Sequence, residues 1–214
     1  MSTRTIARRA ALAGATTVAA LALAACGGAD HSTSGSGHGM PGMGASATPP
    51  TGASASFGAA DVMFAQMMIP HHQQAVEMAD LAATRAADPE VKKLAGEIRA
   101  AQAPEIATMT GWLGTWGAPV PAASAGHGTS MPAMDHGMPG MMSDADMAKL
   151  TAASGADFDR QFLTMMIAHH EGAITMAQEE TAKGANADAK ALAERIVTAQ
   201  QGEIATMKKI LDRL

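Results

Sequence analysis

The chain has 214 residues, a formal net charge of -5 at pH 7, 47% hydrophobic residues and only 3% aromatic ones. That leaves room for one compact domain once the ends are set aside, and the acidic balance excludes nucleic acid as a partner, because nothing would neutralise its phosphates. With no Tyr, four Phe and two Trp, the core has to come from Leu, Ile, Ala and Met, which suits helices packed on small residues and points to an all-α fold.

Residues 1–25 read as an export signal. Arg4, Arg8 and Arg9 precede an apolar run from Ala10 to Ala25 that is too short to span a bilayer. The run ends in Leu23-Ala24-Ala25-Cys26, which resembles a bacterial lipobox and implies cleavage before Cys26 and a diacylglyceryl group on its sulfur. The Arg8-Arg9 pair matches twin-arginine export poorly. Removal of the three arginines takes the charge from -5 to about -8. Cys26 is the sole cysteine, so a disulfide within the chain is excluded and any soft-metal site has to use other ligands. Residues 26–56 are Gly, Ser, Ala, Thr and Pro with almost no apolar side chains, a composition that predicts a flexible tether from the membrane.

An internal repeat at an offset of about 98 residues organises the rest. Asp61, Phe64, Met67, Met68, Ile69, His71, His72, Ala75, Met78 and Ala79 recur as Asp159, Phe162, Met165, Met166, Ile167, His169, His170, Ala173, Met176 and Ala177. Leu94, Ile98, Gln102, Glu105, Ile106, Met109 and Leu113 recur in register as Leu192, Ile196, Gln200, Glu203, Ile204, Met207 and Leu211. Roughly two-fifths of the aligned positions are identical, which argues for duplication.

The first copy, residues 57–117, is predicted to be a helical hairpin whose second helix starts at Asp88-Pro89-Glu90, with a cap, an N1 proline and an acid. Gly114 and Gly117 are expected to end that helix. Pro70 should kink the first helix and free the carbonyl of Gln66. Residues 118–142 read as a flexible His/Met-rich linker carrying His127, Met131, Met134, His136, Met138, Met141 and Met142. Its segment His136-Gly137-Met138-Pro139-Gly140-Met141 echoes His38-Gly39-Met40-Pro41-Gly42-Met43 in the tether, which also holds His31.

The second copy, residues 143–214, opens with a short helix capped by Ser143. Gly184 is expected to end the long helix that follows, and Asn186-Ala187-Asp188 to start the last one. Two such hairpins cover each other's apolar faces as a four-helix bundle.

The 18 Met and 8 His fall in clusters, and the clusters carry the chemistry. On a helix Met67 lies one turn before His71 and Met68 one turn before His72, while Met78 returns to the same side seven residues on. Met165, Met166, His169, His170 and Met176 repeat the pattern. Adjacent histidines point about 100° apart, so both reach one ion only near the edge between them. It is equally open that one binds and the other faces a partner helix.

Thioether favours Cu(I) and imidazole accepts either oxidation state, so copper fits the set. Zinc stays open through histidine alone but gives the methionines no role. The bland alternative is that Met at helical spacing fills the core and the histidines are structural. Gln102, Glu105, Gln200 and Glu203 lie on the core-facing stripe and need donors there. Histidine N–H groups are the expected ones, fixing tautomer and ring orientation, and ordinary interhelical bonding is the other reading.

These motifs resemble the family called domain of unknown function 305, whose signature is Met-Ile-x-His-His followed by Ala and Met-Ala, then Ala-Gln-x-x-Glu-Ile. The matches are Met68-Ile69-Pro70-His71-His72, Ala75 and Met78-Ala79, then Ala101-Gln102-Ala103-Pro104-Glu105-Ile106, and the second copy matches equally. The resemblance covers about Phe57 to Leu214. It implies a ferritin-like helical bundle, export to the periplasm or cell surface and, for some members, copper binding and tolerance. A carboxylate di-iron site would need Glu three residues before a His, where Met68 or Ile69 and Met166 or Ile167 stand.

The expected function is therefore a membrane-anchored lipoprotein, not an enzyme, that sequesters or buffers Cu(I) and Cu(II) or passes them to a copper-handling protein. The alternatives are a cuprous oxidase and a metal-free envelope module that binds a protein partner.

Overall fold

Helix starts are set by side chains that accept the first free N–H groups. Asp88 accepts from the amides of Glu90 and Val91 at 2.8 and 3.3 Å, Asn186 from those of Asp188 and Ala189 at 3.0 Å, and Ser143 from that of Asp146 at 3.2 Å. The computed structural model describes residues 56–122 and 138–214. The signal, Cys26, nearly all of the tether, and His127, Met131, Met134 and His136 of the linker lie outside them.

Among the described residues there are five helices: α1 (Ala59–Arg85), α2 (Pro89–Thr115), α3 (Asp144–Ala152), α4 (Gly155–Lys183) and α5 (Ala187–Leu211). α1 continues unbroken through Pro70 and α2 through Pro104. Gly117 takes the left-handed conformation just past α2, with φ of 66°, whereas Gly184 after α4 is extended. Among the described residues no strand forms, and no helix is long and apolar enough to cross a membrane.

The molecule is an all-α bundle in which α1 packs on α2 and α4 on α5, and α1 and α4 meet along a central seam. Two apolar clusters hold it. One contains Met78, Leu94, Ile98, Leu150, Phe158, Phe162, Met166 and Met207, and the other Phe64, Met68, Ile69, Met109, Leu113, Met176, Leu192 and Ile196. Each draws on both hairpins, so neither hairpin owns a complete core. Each fully buried Leu, Ile, Phe or Met in them contributes about 1.5–3 kcal/mol.

The repeated acids Asp61 and Asp159 join the hairpins reciprocally. Asp61, on α1, accepts from the backbone N–H of Ala185 and Asn186 in the α4–α5 turn, the latter at 2.8 Å. Asp159, on α4, accepts from those of Ala87 and Asp88 in the α1–α2 turn, the latter at 2.9 Å. Both carboxylates are buried, so each hairpin's turn is capped by the other hairpin's first helix.

One end of this arrangement carries an extra acid. Glu180 is buried beside Asp61, at a position where the first repeat has Ala82. Burial first, then the neighbouring Asp61 carboxylate, pushes the Glu180 carboxyl up to about 8, so at neutral pH it holds its proton. The unfolded chain releases that proton near 4.5. The stabilisation is therefore complete below pH 4.5 and is lost as pH rises toward 8, at no more than about 1.4 kcal/mol per pH unit. Glu180→Ala, which installs the first repeat's solution, should flatten this decline in urea unfolding measured from pH 5 to 8. An unchanged slope would contradict the assignment.

Candidate metal centre

The seam between α1 and α4 carries His71 and His72 from one helix and His169 and His170 from the other, all four with no exposed surface. Small residues permit the approach: Ala75 and Ala79 on α1, and Gly172, Ala173 and Ala177 on α4, are buried around them. The equivalent rings of the two repeats touch, His71 and His169 having centroids 3.7 Å apart at 39°. His170 lies 6.4 Å from His169. The two copies thus meet at one cluster.

Hydrogen bonds fix most of these rings. His72 Nε2–H donates to Glu105 Oε2 at 2.8 Å, and His170 Nε2–H to Glu203 Oε2 at 2.6 Å, each from the second helix of the same hairpin. His71 Nε2–H donates to the carbonyl oxygen of Pro139 at 3.1 Å. Donation from Nε2 leaves Nδ1 as a bare lone pair, and Nδ1 of all four histidines is buried without a partner. His169 lacks a partner on Nε2 as well.

Burial pushes His71 down to about 3, with His72 adding to the shift, the Pro139 carbonyl opposing it and His170 adding a little more. Burial likewise holds His169 well below the usual imidazole range, helped by His71, His170 and His72. Both rings are neutral at physiological pH and present lone pairs, the form in which imidazole binds metal. Orphaned buried nitrogens are costly unless something occupies them.

The other residues singled out in the sequence divide. Glu105 and Glu203 reach the histidines, but Gln102 and Gln200, both buried, do not. Both amide atoms of Gln102 and the carbonyl of Gln200 are unpartnered. Met67 and Met165 are partly buried, each packed against the apolar cluster that holds Met68 or Met166 respectively. The buried methionines of the two repeats pack in exchanged cores. Met68 and Met109 of the first hairpin cluster with Met176 of the second, and Met166 and Met207 of the second with Met78 of the first. On α1, Met67 and Met68 thus lie at one core and Met78 in the other.

Met138, Met141 and Met142, read as part of a mobile linker, are docked. Gln74 grips the backbone of Met142 from both sides, Nε2–H donating to its oxygen at 2.9 Å and Oε1 accepting from its N–H at 2.8 Å. Pro139, Gly140, Gly172 and Gln74 were not singled out as site residues. The one signal was that Gln74 and Gly172 occupy equivalent repeat positions yet differ.

Among the described residues no three His, Cys, Asp or Glu side chains converge as a ready cage. An ion held here would draw on thioether sulfur or on a small turn of the rings. Bare imidazole nitrogens in a methionine-rich core form a donor set matched to a soft cation.

A family model described as domain of unknown function, DUF305, matches residues 61–211. The chain is similar to solved structures of a candidate secreted DUF305 protein from Streptomyces coelicolor, at 37% identity and a TM-score of 0.64, over 72% of this chain and 91% of that one. It is similar to a DUF305 fragment from Deinococcus radiodurans at 35% identity and a TM-score of 0.64, over 74% of this chain and 99% of that one. It is also similar to CopM in the Cu(II)-bound form, at 36% identity and a TM-score of 0.60, over 72% of this chain and 96% of that one. CopM has been solved in a Cu(I)-bound form too. No curated protein matches the chain.

Proposed function

We propose, from the premise that the chain belongs to the DUF305 family, that it is an exported copper-binding protein that sequesters or buffers Cu(I) and Cu(II) and has no catalytic activity of its own. The observation that carries the reading is the set of four buried histidines at the α1–α4 seam with unpartnered Nδ1 atoms. His71, His72, His169 and His170 supply nitrogen, and the methionines of the two apolar clusters supply sulfur that holds Cu(I) where a thiolate would oxidise. The copper-bound forms of CopM and the secreted description of the Streptomyces coelicolor protein support copper and export. Lipid anchoring through Cys26 belongs to the same proposal. Cu(I) and Zn(II) titrations of residues 26–214, followed by native mass spectrometry, test it. Copper uptake in preference to zinc is expected, and indifference to both metals would refute it.

Glu105 holds the His72 ring from α2, and its carboxylate is about a fifth exposed, so water can solvate what remains when the pair is broken. Glu105→Ala should weaken Cu(I) affinity by about ten- to a hundredfold while barely changing the unfolding midpoint. Unchanged affinity in competition with a chromogenic Cu(I) chelator would remove Glu105 from the site.

A further inference from the structure

The two repeats depart from symmetry where the segment Met138–Met142 crosses the seam. On α4, Gly172 lies directly beneath it: a Cβ there would stand 2.0 Å from the Pro139 oxygen and 2.7 Å from Gly140 Cα. Gly140 has φ of 78°, and a Cβ on it would meet the carbonyl oxygens of Ala168 and His169 at 2.7 and 2.8 Å. On α1, the equivalent of Gly172 is Gln74, whose amide clamps the Met142 backbone. One repeat position thus supplies the recess and its counterpart supplies the clasp. Between them the Pro139 carbonyl caps His71 Nε2, while the equivalent nitrogen of His169 has no partner.

We infer that Met138–Met142 is a strap that closes the histidine cluster and undocks to admit copper, with Gln74 and Gly172 as the residues that position it. The inference rests on the copper reading above. All four rings are fully covered, so an ion reaches no Nδ1 unless something moves. Helix backbone opens at high cost, whereas a five-residue segment held by two clasp hydrogen bonds and one cap opens at low cost. Among the described residues it is the one non-helical stretch bonded to these histidines. It also carries three thioethers, on Met138, Met141 and Met142, in the same segment whose Pro139 carbonyl caps His71, and thioether sulfur suits Cu(I).

Two variants loosen the strap by unrelated means. Gln74→Ala removes both clasp bonds. Gly172→Ala adds a methyl group that cannot coexist with the docked Pro139 carbonyl, yet favours the α4 helix by its propensity. The full chain is compared in two assays. In metal-free protein, diethyl pyrocarbonate modification of His71, mapped by peptide mass spectrometry, should quicken about tenfold in both variants. In stopped flow, Cu(I) transfer from its bicinchoninate complex should quicken by a similar factor. Faster modification without faster transfer would overturn the gating role, and unchanged modification would overturn the strap itself. Failure of wild type and variants alike to take copper would refute the copper reading, while the modification assay would still decide whether the strap covers His71.

Discussion

Replacing His71, His72, His169 and His170 together with alanine should lower Cu(I) affinity by at least about a hundredfold and leave the helical circular dichroism spectrum intact. The four rings line the seam from both repeats, and each offers a buried lone pair that no protein atom uses. Losing them leaves scattered thioethers in two separate cores, without nitrogen to anchor an ion. The fold should survive because both apolar clusters, each built from the two hairpins, stay intact. Truncation also removes orphaned polar atoms, which offsets part of the cavity it creates. Glu105 and Glu203 are each about a fifth exposed and can turn to water. Retained affinity in the helical variant would move the site elsewhere.

The second large effect concerns stability. Asp159→Ala should destabilise the domain by about 3 kcal/mol, because it strands the N–H groups of Ala87 and Asp88 beside a buried cavity. Against a typical total of about 5–15 kcal/mol that is a large fraction. Asp61→Ala should cost a similar amount from the opposite end, through Ala185 and Asn186, and the double variant more than either. Chemical denaturation checks this: the midpoint should fall with little change in slope. An Asp159→Ala midpoint equal to wild type would mean that the turn finds other acceptors and that the reciprocal cap is dispensable.

Much of this was readable from residues alone. Asp88, Ser143 and Asn186 announced their helices because capping is local chemistry. The repeat gave the pairing of hairpins, and helical spacing put Glu105 and Glu203 on the same stripes as Gln102 and Gln200. It could not say which acceptor reaches a ring, since Glu105 bonds His72 while Gln102, one turn earlier, bonds nothing. The crossing of α1 over α4 was invisible to any single helix's periodicity. The reciprocal bonds of Asp61 and Asp159 and the exchange of Met78 and Met176 between cores both depend on it. The strap escaped because its Gly-Met-Pro-Gly-Met string reads as linker in both places it occurs, and its partners Gly172 and Gln74 lie more than thirty residues away along the chain.

The central claim is that imidazole nitrogen and thioether sulfur together hold copper at the seam between the two repeats. Copper-edge X-ray absorption of the domain loaded with one equivalent of Cu(I) measures those donors directly. Mixed nitrogen and sulfur scattering, with the nitrogen component lost in the four-histidine variant, is the expected result. A spectrum fitted by oxygen or nitrogen alone, or one that the variant leaves unaltered, would contradict it.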